Sequence, residues 1–156
     1  MTRIDGIYTV LKVVDGDGMI VRHKFSHDVI EIRLYGIDAP EIKRCRKLKK
    51  DEQITRLAGQ YLIKLGIQSM RFLAALAPIG STIHIRQEKV SKIDFYGRHL
   101  AYAFLPDGSC INELMITSGY AKPLTDYPCN ELGKYRTLNA EAKRVGNGLY
   151  NLVPNF

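Results

Sequence analysis

Cysteine is scarce in this chain: Cys45, Cys110 and Cys129 are the only three. An odd number cannot all be paired in disulfides, and none stands in a C-x-x-C arrangement, which argues against a structural zinc site. Histidine is nearly as scarce, four among 156 residues. His23 and His27 have the spacing of ligands on a helix, but their neighbourhood reads as strand and turn, where four residues span roughly 13 Å. Both are read as surface histidines. No apolar run approaches the ~20 residues of a membrane span. The opening Met1-Thr2-Arg3-Ile4-Asp5-Gly6 lacks the apolar region of a signal peptide, which leaves a cytoplasmic protein or one whose signal has been removed. Acidic residues are outnumbered, 16 Asp and Glu against 23 Lys and Arg, for a net charge of +7. That excess favours polyanionic partners such as nucleic acid, although a basic surface can also serve only solubility. Internal repeats, low-complexity tracts and linkers are absent too, so residues 1–156 read as a single domain large enough for a proper core.

What is present alternates. Residues 7–14 are rich in β-branched side chains and read as a strand. The turn Asp15-Gly16-Asp17-Gly18 and a second strand over 19–24 complete a hairpin. Ser26-His27-Asp28 then turns the chain into a third strand, where Ile30, Ile32 and Leu34 form an apolar face and Glu31, Arg33 and Tyr35 the other. Residues 81–88 and 100–105 supply a fourth and a fifth strand, separated by a turn around Asp94-Phe95-Tyr96-Gly97-Arg98. The basic run Lys43, Arg44, Arg46, Lys47, Lys49 and Lys50 reads as a solvated, mobile loop that could also draw in a polyanion.

Ile54, Leu57, Ala58, Tyr61, Leu62 and Leu65 follow helical spacing, with Asp51 a plausible cap and Gly66 a place for a kink or break. Asn112 can cap a short helix ending at Ser118, and Leu132, Tyr135, Leu138, Ala142 and Val145 lie on one side of a last one. The expected fold is α+β, mainly β: a five-stranded barrel of the oligonucleotide-binding (OB) type packed against about three α-helices.

The third strand leads straight into Gly36-Ile37-Asp38-Ala39-Pro40-Glu41. Gly36 lets the chain bend, and Pro40 stiffens the bend. Asp38 and Glu41 should sit near the strand's end with Arg33 beside them. That set suits metal-assisted chemistry on a phosphate; the plainer account is a surface turn with scattered charges. Asp15-Gly16-Asp17-Gly18 is no EF-hand loop, since Met19 stands where an oxygen ligand is required. Asp17 and Asp38 come after adjacent strand segments and could meet at one end of the barrel. Two close carboxylates repel, so either a hard cation such as Ca²⁺ or the arginines must sit between them.

Taken in order, Val14-Asp15-Gly16-Asp17, Ile32-Arg33-Leu34-Tyr35-Gly36-Ile37-Asp38-Ala39-Pro40-Glu41 and Asp94-Phe95-Tyr96-Gly97-Arg98-His99-Leu100-Ala101-Tyr102 resemble the staphylococcal nuclease (thermonuclease) family. The resemblance continues through Asn112-Glu113-Leu114, Gly119-Tyr120-Ala121 and residues 140–150. It implies an OB-type barrel with three helices and Ca²⁺-dependent hydrolysis of DNA and RNA, giving 3′-phosphate and 5′-hydroxyl ends. On this resemblance Asp17 and Asp38 match the carboxylate ligands of Ca²⁺, and Ala39 the residue that lends its carbonyl. Glu41 matches the general base, and Arg33 and Arg98 the arginines on the reacting phosphate. Lys47, Lys49, Lys50, Tyr96 and Tyr127 are candidate nucleic-acid contacts, and a monomer is expected. Gly18 stands where the family usually has Thr, and residues 42–66 are longer and more basic than in the type protein. Two other readings compete with a nuclease of low sequence specificity. A binding module that has lost catalysis could drop Arg33, Glu41 or Arg98, all kept here. A structural domain whose charge serves solubility would not predict matching metal and phosphate groups on separate strands.

Overall fold

A computed structural model describes residues 4–90 and 93–156; Met1, Thr2 and Arg3 of the opening segment lie outside the described residues. The elements run β1 Gly6–Asp15, β2 Gly18–His23, β3 Val29–Leu34, β4 Ile37–Asp38, α1 Arg46–Thr55, α2 Gly59–Leu76, β5 Thr82–Arg86, β6 His99–Phe104, α3 Ile111–Thr117, β7 Lys122–Pro123 and α4 Leu132–Val145, then a 3₁₀ turn at Gly148–Asn151. Five strands close a barrel in the order β1-β2-β3-β6-β5. β1, β2 and β3 form the expected meander, and β3 joins β6 in parallel, with Arg33 opposite Leu100. Register shifts in β1 between Val10 and Lys12 and between Val13 and Asp15 bend that strand, as closure of a small barrel requires.

The alternation seen in the sequence fills the barrel. Val10, Met19, Val21, Ile32, Ile83 and Ile85 are fully buried within it, while His84 and Arg86 of β5 face outward as expected. A second apolar cluster, around Leu48, Leu62, Leu65, Ala142, Leu149 and Tyr150, joins α1, α2, α4 and the 3₁₀ turn.

The helices differ from the expectation in several respects. There are four α-helices among the described residues, because part of the basic run folds as α1. Asp51 lies inside α1 rather than capping a helix, and Ile54 is exposed. α1 and α2 are separate helices, so one apolar stripe cannot run through both; the break falls at Arg56, whose φ is 61°. Gly66 does not break α2. It is buried in the helix interior, where an added Cβ would collide with the carbonyl oxygens of Pro40 and Glu41. The glycine therefore lets the Pro40–Glu41 backbone lie directly on the helix. Asn112 is likewise not a cap. It lies within α3, fully buried, and its side chain ties the barrel together. Its Oδ1 accepts from the Ala103 N–H at 3.0 Å, and its Nδ2 donates to the carbonyls of Tyr35 and Ala101 at 3.0 and 3.2 Å.

Tyr35 also leaves its expected face. β3 ends at Leu34, and the bend at Gly36 (φ 73°) sends the Tyr35 ring into the core, 5.2 Å from the ring of Tyr102. A side chain at Gly36 would meet Cys129 and Tyr135 at 2.9 Å, so both the φ and the space demand glycine.

Gly66→Ala forces the site loop off α2. It should lower stability by about 1–3 kcal/mol, as overpacking does, read from the midpoint of chemical denaturation.

Candidate active site

Strand register assembles the site. Gly18 pairs with Arg33, and Arg33 with Leu100, so Asp17, Arg33 and Arg98 arrive side by side at one end of the barrel. The Leu34 N–H donates to the Asp17 carbonyl at 2.8 Å, and the Ala39 N–H donates to Asp17 Oδ2 at 3.0 Å. These two bonds join the hairpin turn to the Asp38–Glu41 loop. β7 holds that loop from behind by pairing with β4, Asp38 opposite Lys122.

Arg33 is the hub. Its Nη1 lies 3.1 Å from Asp17 Oδ1 and its Nη2 3.5 Å from Asp38 Oδ1, with all three side chains less than a tenth exposed. Burial raises the Asp17 carboxyl, but Arg33 and the Ala39 N–H more than cancel this and hold it below the usual carboxylate range. Asp38 goes the other way: burial outweighs the pull of Lys47 and leaves its carboxyl raised. Glu41 is raised for the same reason, burial only partly offset by Lys47. Asp15, read from the sequence as a turn former, also belongs here. Burial, then the charge of Asp17, push its carboxyl up to about 8.

Lys47 is drawn in from α1. Its ammonium lies 3.2 Å from Asp38 Oδ2, 3.6 Å from Glu41 Oε1 and 2.9 Å from Asp51 Oδ2. Against the cost of burial, these carboxylates hold its proton more tightly than usual. Lys49 and Lys50 are exposed on α1 and do not line the cleft; Lys43, Cys45 and Arg46 do.

The opposite wall is the turn before β6. The buried Asp94 organises it: Oδ1 accepts from the N–H groups of Tyr96 and Arg98, each at 2.9 Å, and Oδ2 accepts from Arg98 Nε at 2.7 Å. Phe95 and Tyr96 are left 89% and 84% exposed, an unusual state for aromatic rings. The Phe95 N–H donates to Tyr127 Oη at 3.1 Å, and the two rings lie 5.6 Å apart. A Cβ at Gly18 would stand 3.1 Å from Asp15 Oδ1, a tight approach, and 3.8 Å from Arg98 Nη1, an ordinary contact.

The result is a cleft of about 550 Å³ lined by Asp15, Asp17, Arg33, Glu41, Lys47, Tyr96, Arg98 and Tyr127 together with Phe95 and Asp126. Asp38 sits beside it, joined through Arg33 and Lys47. The sequence reading places Asp94 and Phe95 in a turn but not among the site residues, because turn chemistry alone does not show that Asp94 grips Arg98. Among the described residues no group of three or more His, Cys, Asp or Glu side chains is disposed to hold a metal ion. The donors still suit a hard cation in kind. Asp17 and Asp38 are carboxylates, and the buried Asp38 Oδ1 accepts no hydrogen bond. Ala39 is tied to Asp17 through its own N–H.

A five-stranded OB-type barrel with helices, carrying carboxylates and two arginines in one cleft, defines the class of protein. Residues 31–152 match the family described as staphylococcal nuclease homologue, and the chain belongs to that family. The matched range includes Arg33, Asp38, Glu41 and Arg98 but not Asp17. The chain is 29% identical to the uncharacterized protein MJ1439 of Methanocaldococcus jannaschii, across 94% of this chain and 72% of that protein. It is 29% identical to an uncharacterized endonuclease of Escherichia coli O157:H7, across 91% of this chain and 75% of that one. It is 26% identical to endonuclease YhcR of Bacillus subtilis, where 90% of this chain matches 11% of a much longer protein.

Arg33→Met would leave two buried carboxylates without their shared counter-charge. Stability should fall by about 3–5 kcal/mol, the usual result of breaking a buried pair, as measured by chemical denaturation at neutral pH.

Proposed function

We propose that this protein is a calcium-dependent nuclease that hydrolyses phosphodiester bonds of DNA and RNA with low sequence specificity, leaving 3′-phosphate and 5′-hydroxyl ends. One observation carries the reading. Glu41, Arg33 and Arg98, from separate stretches of chain, line a single cleft with Asp17, and Asp38 is ion-paired to the same Arg33. Relatives named as endonucleases support it.

A phosphodiester is anionic, and attack by water concentrates further negative charge on its oxygens. Arg33 and Arg98 can offset that charge with forked, charge-assisted hydrogen bonds. Glu41, its carboxyl raised by burial, takes a proton from the attacking water. The water oxygen bonds to phosphorus as the bond to the 5′ oxygen breaks, and that oxygen takes up a proton from solvent. Asp17, Asp38 and the carbonyl of Ala39 would hold Ca²⁺, which when bound supplies positive charge against the phosphate oxygens. Tyr96 and Tyr127, with Phe95, offer ring faces on which bases of any sequence can stack. Contacts to phosphates and ring faces do not distinguish bases, hence the low specificity. Lys49 and Lys50 are left to long-range attraction of the polyanion.

A second reading, a nucleic-acid-binding module with weak catalysis, draws on the ion pairs that engage both terminal nitrogens of Arg33.

Plasmid DNA and RNA incubated with the protein should be cut in Ca²⁺ and left whole in chelator, with end-group analysis giving 3′-phosphates. Digestion that persists unchanged in chelator removes calcium from the reaction. Binding without cleavage favours the module. Glu41→Gln should lower the cleavage rate by about 10²–10⁴-fold while binding in a gel-shift assay is kept; a full rate excludes Glu41 as the base.

A further inference from the structure

Lys47 is not needed for the chemistry just described, yet it is built firmly into the site. It stands in the first turn of α1, and Asp51, one turn further along the same helix, accepts a hydrogen bond from its Nζ at 2.9 Å. Held by this tether, the ammonium lies against the carboxylates proposed as metal ligand and base, 3.2 Å from Asp38 and 3.6 Å from Glu41. Resting on the nuclease reading and its calcium site, we propose that Lys47 is an internal counter-ion that competes with the metal. It stands against Asp38 and Glu41, and a divalent cation must displace it to use Asp38.

The geometry leaves little choice. Ca²⁺ binds oxygen at roughly 2.3–2.6 Å, and Asp38 already has a cation facing each oxygen, Arg33 at Oδ1 and Lys47 at Oδ2. A dication on that carboxylate would lie within a few ångströms of an ammonium, with little water between to screen them. Of the two residents Lys47 is the one able to move. Its side chain is 36% exposed and lines the cleft, whereas that of Arg33 is 7% exposed and bridges two aspartates. A lysine is also a compact charge on a flexible stem, well suited to swing away. The exchange serves the fold in the metal-free state, because a buried carboxylate left without counter-charge is costly. α1 thus sets how tightly the metal is held, and Asp51 sets how firmly the ammonium competes.

Calcium titration calorimetry on the full chain tests this, comparing wild type, Lys47→Met and Asp51→Asn. Lys47→Met should bind Ca²⁺ at least about tenfold more tightly, ~1.4 kcal/mol, and Asp51→Asn should show a smaller gain. Without Ca²⁺, Lys47→Met should melt below wild type, and Ca²⁺ should raise its Tm by more than it raises that of wild type. Equal Ca²⁺ affinity in wild type and Lys47→Met overturns the role of Lys47 and leaves the calcium site standing. If neither protein binds Ca²⁺, the calcium reading itself fails and this inference falls with it. Should Lys47→Met not fold without Ca²⁺, Asp51→Asn decides, since it keeps the ammonium but loosens it; an affinity no tighter than wild type overturns the proposal.

Discussion

A carboxylate withdrawn from water persists as an anion only beside positive charge. Asp17 and Asp38 are both buried at the mouth of the barrel, and Arg33 lies between them. Much of the surrounding structure serves to keep these three in place. Pairing of Gly18 with Arg33 and of Arg33 with Leu100 sets the register. A slip of one residue in β3 would turn the guanidinium into the apolar core and Ile32 out of it. The Asn112 side chain binds backbone on both sides of that junction, at Tyr35 and at Ala101 and Ala103. Gly66 lets α2 press the Asp38–Glu41 loop against the barrel. The polar cluster and the apolar core are thus one construction, since the side chains that alternate with Arg33 along β3 are those that fill the barrel.

The strands and their apolar faces were legible because period-two alternation leaves no ambiguity once one face is buried. The expectation that Asp17, Arg33, Glu41 and Arg98 would converge also agrees with the cleft, and it came from ordered motifs rather than from periodicity. What stayed hidden depended on partners far away in sequence. Nothing local marks Asn112 as a clamp instead of a cap, because its three partners lie on the barrel. Gly66 looked like a helix breaker because the backbone it accommodates belongs to the loop at Pro40 and Glu41. Asp51 looked like a cap for the same reason that it holds Lys47: a short acidic side chain near a helix start satisfies either an N–H group or an ammonium one turn away. The basic run looked solvated because its charge obscured Leu48, which is buried against the second apolar cluster and anchors α1.

The two arginines are unequally committed, and this constrains how the cleft can work. Asp94 takes the Nε edge of Arg98, whereas carboxylates face both terminal nitrogens of Arg33. A guanidinium presents five donors in a fixed plane, so Arg33 cannot turn toward a new anion without loosening its hold on Asp17 or Asp38. Under the proposed chemistry a phosphate entering the cleft meets Arg98 first. Arg33 can meet it with the N–H groups that its ion pairs to Asp17 and Asp38 leave unused, since its Nη1 makes no hydrogen bond. Arginine and metal are then not independent aids to the reaction. The carboxylates proposed to hold the cation are the ones that restrain Arg33, and Lys47, the resident able to move, is the charge a cation would displace from Asp38.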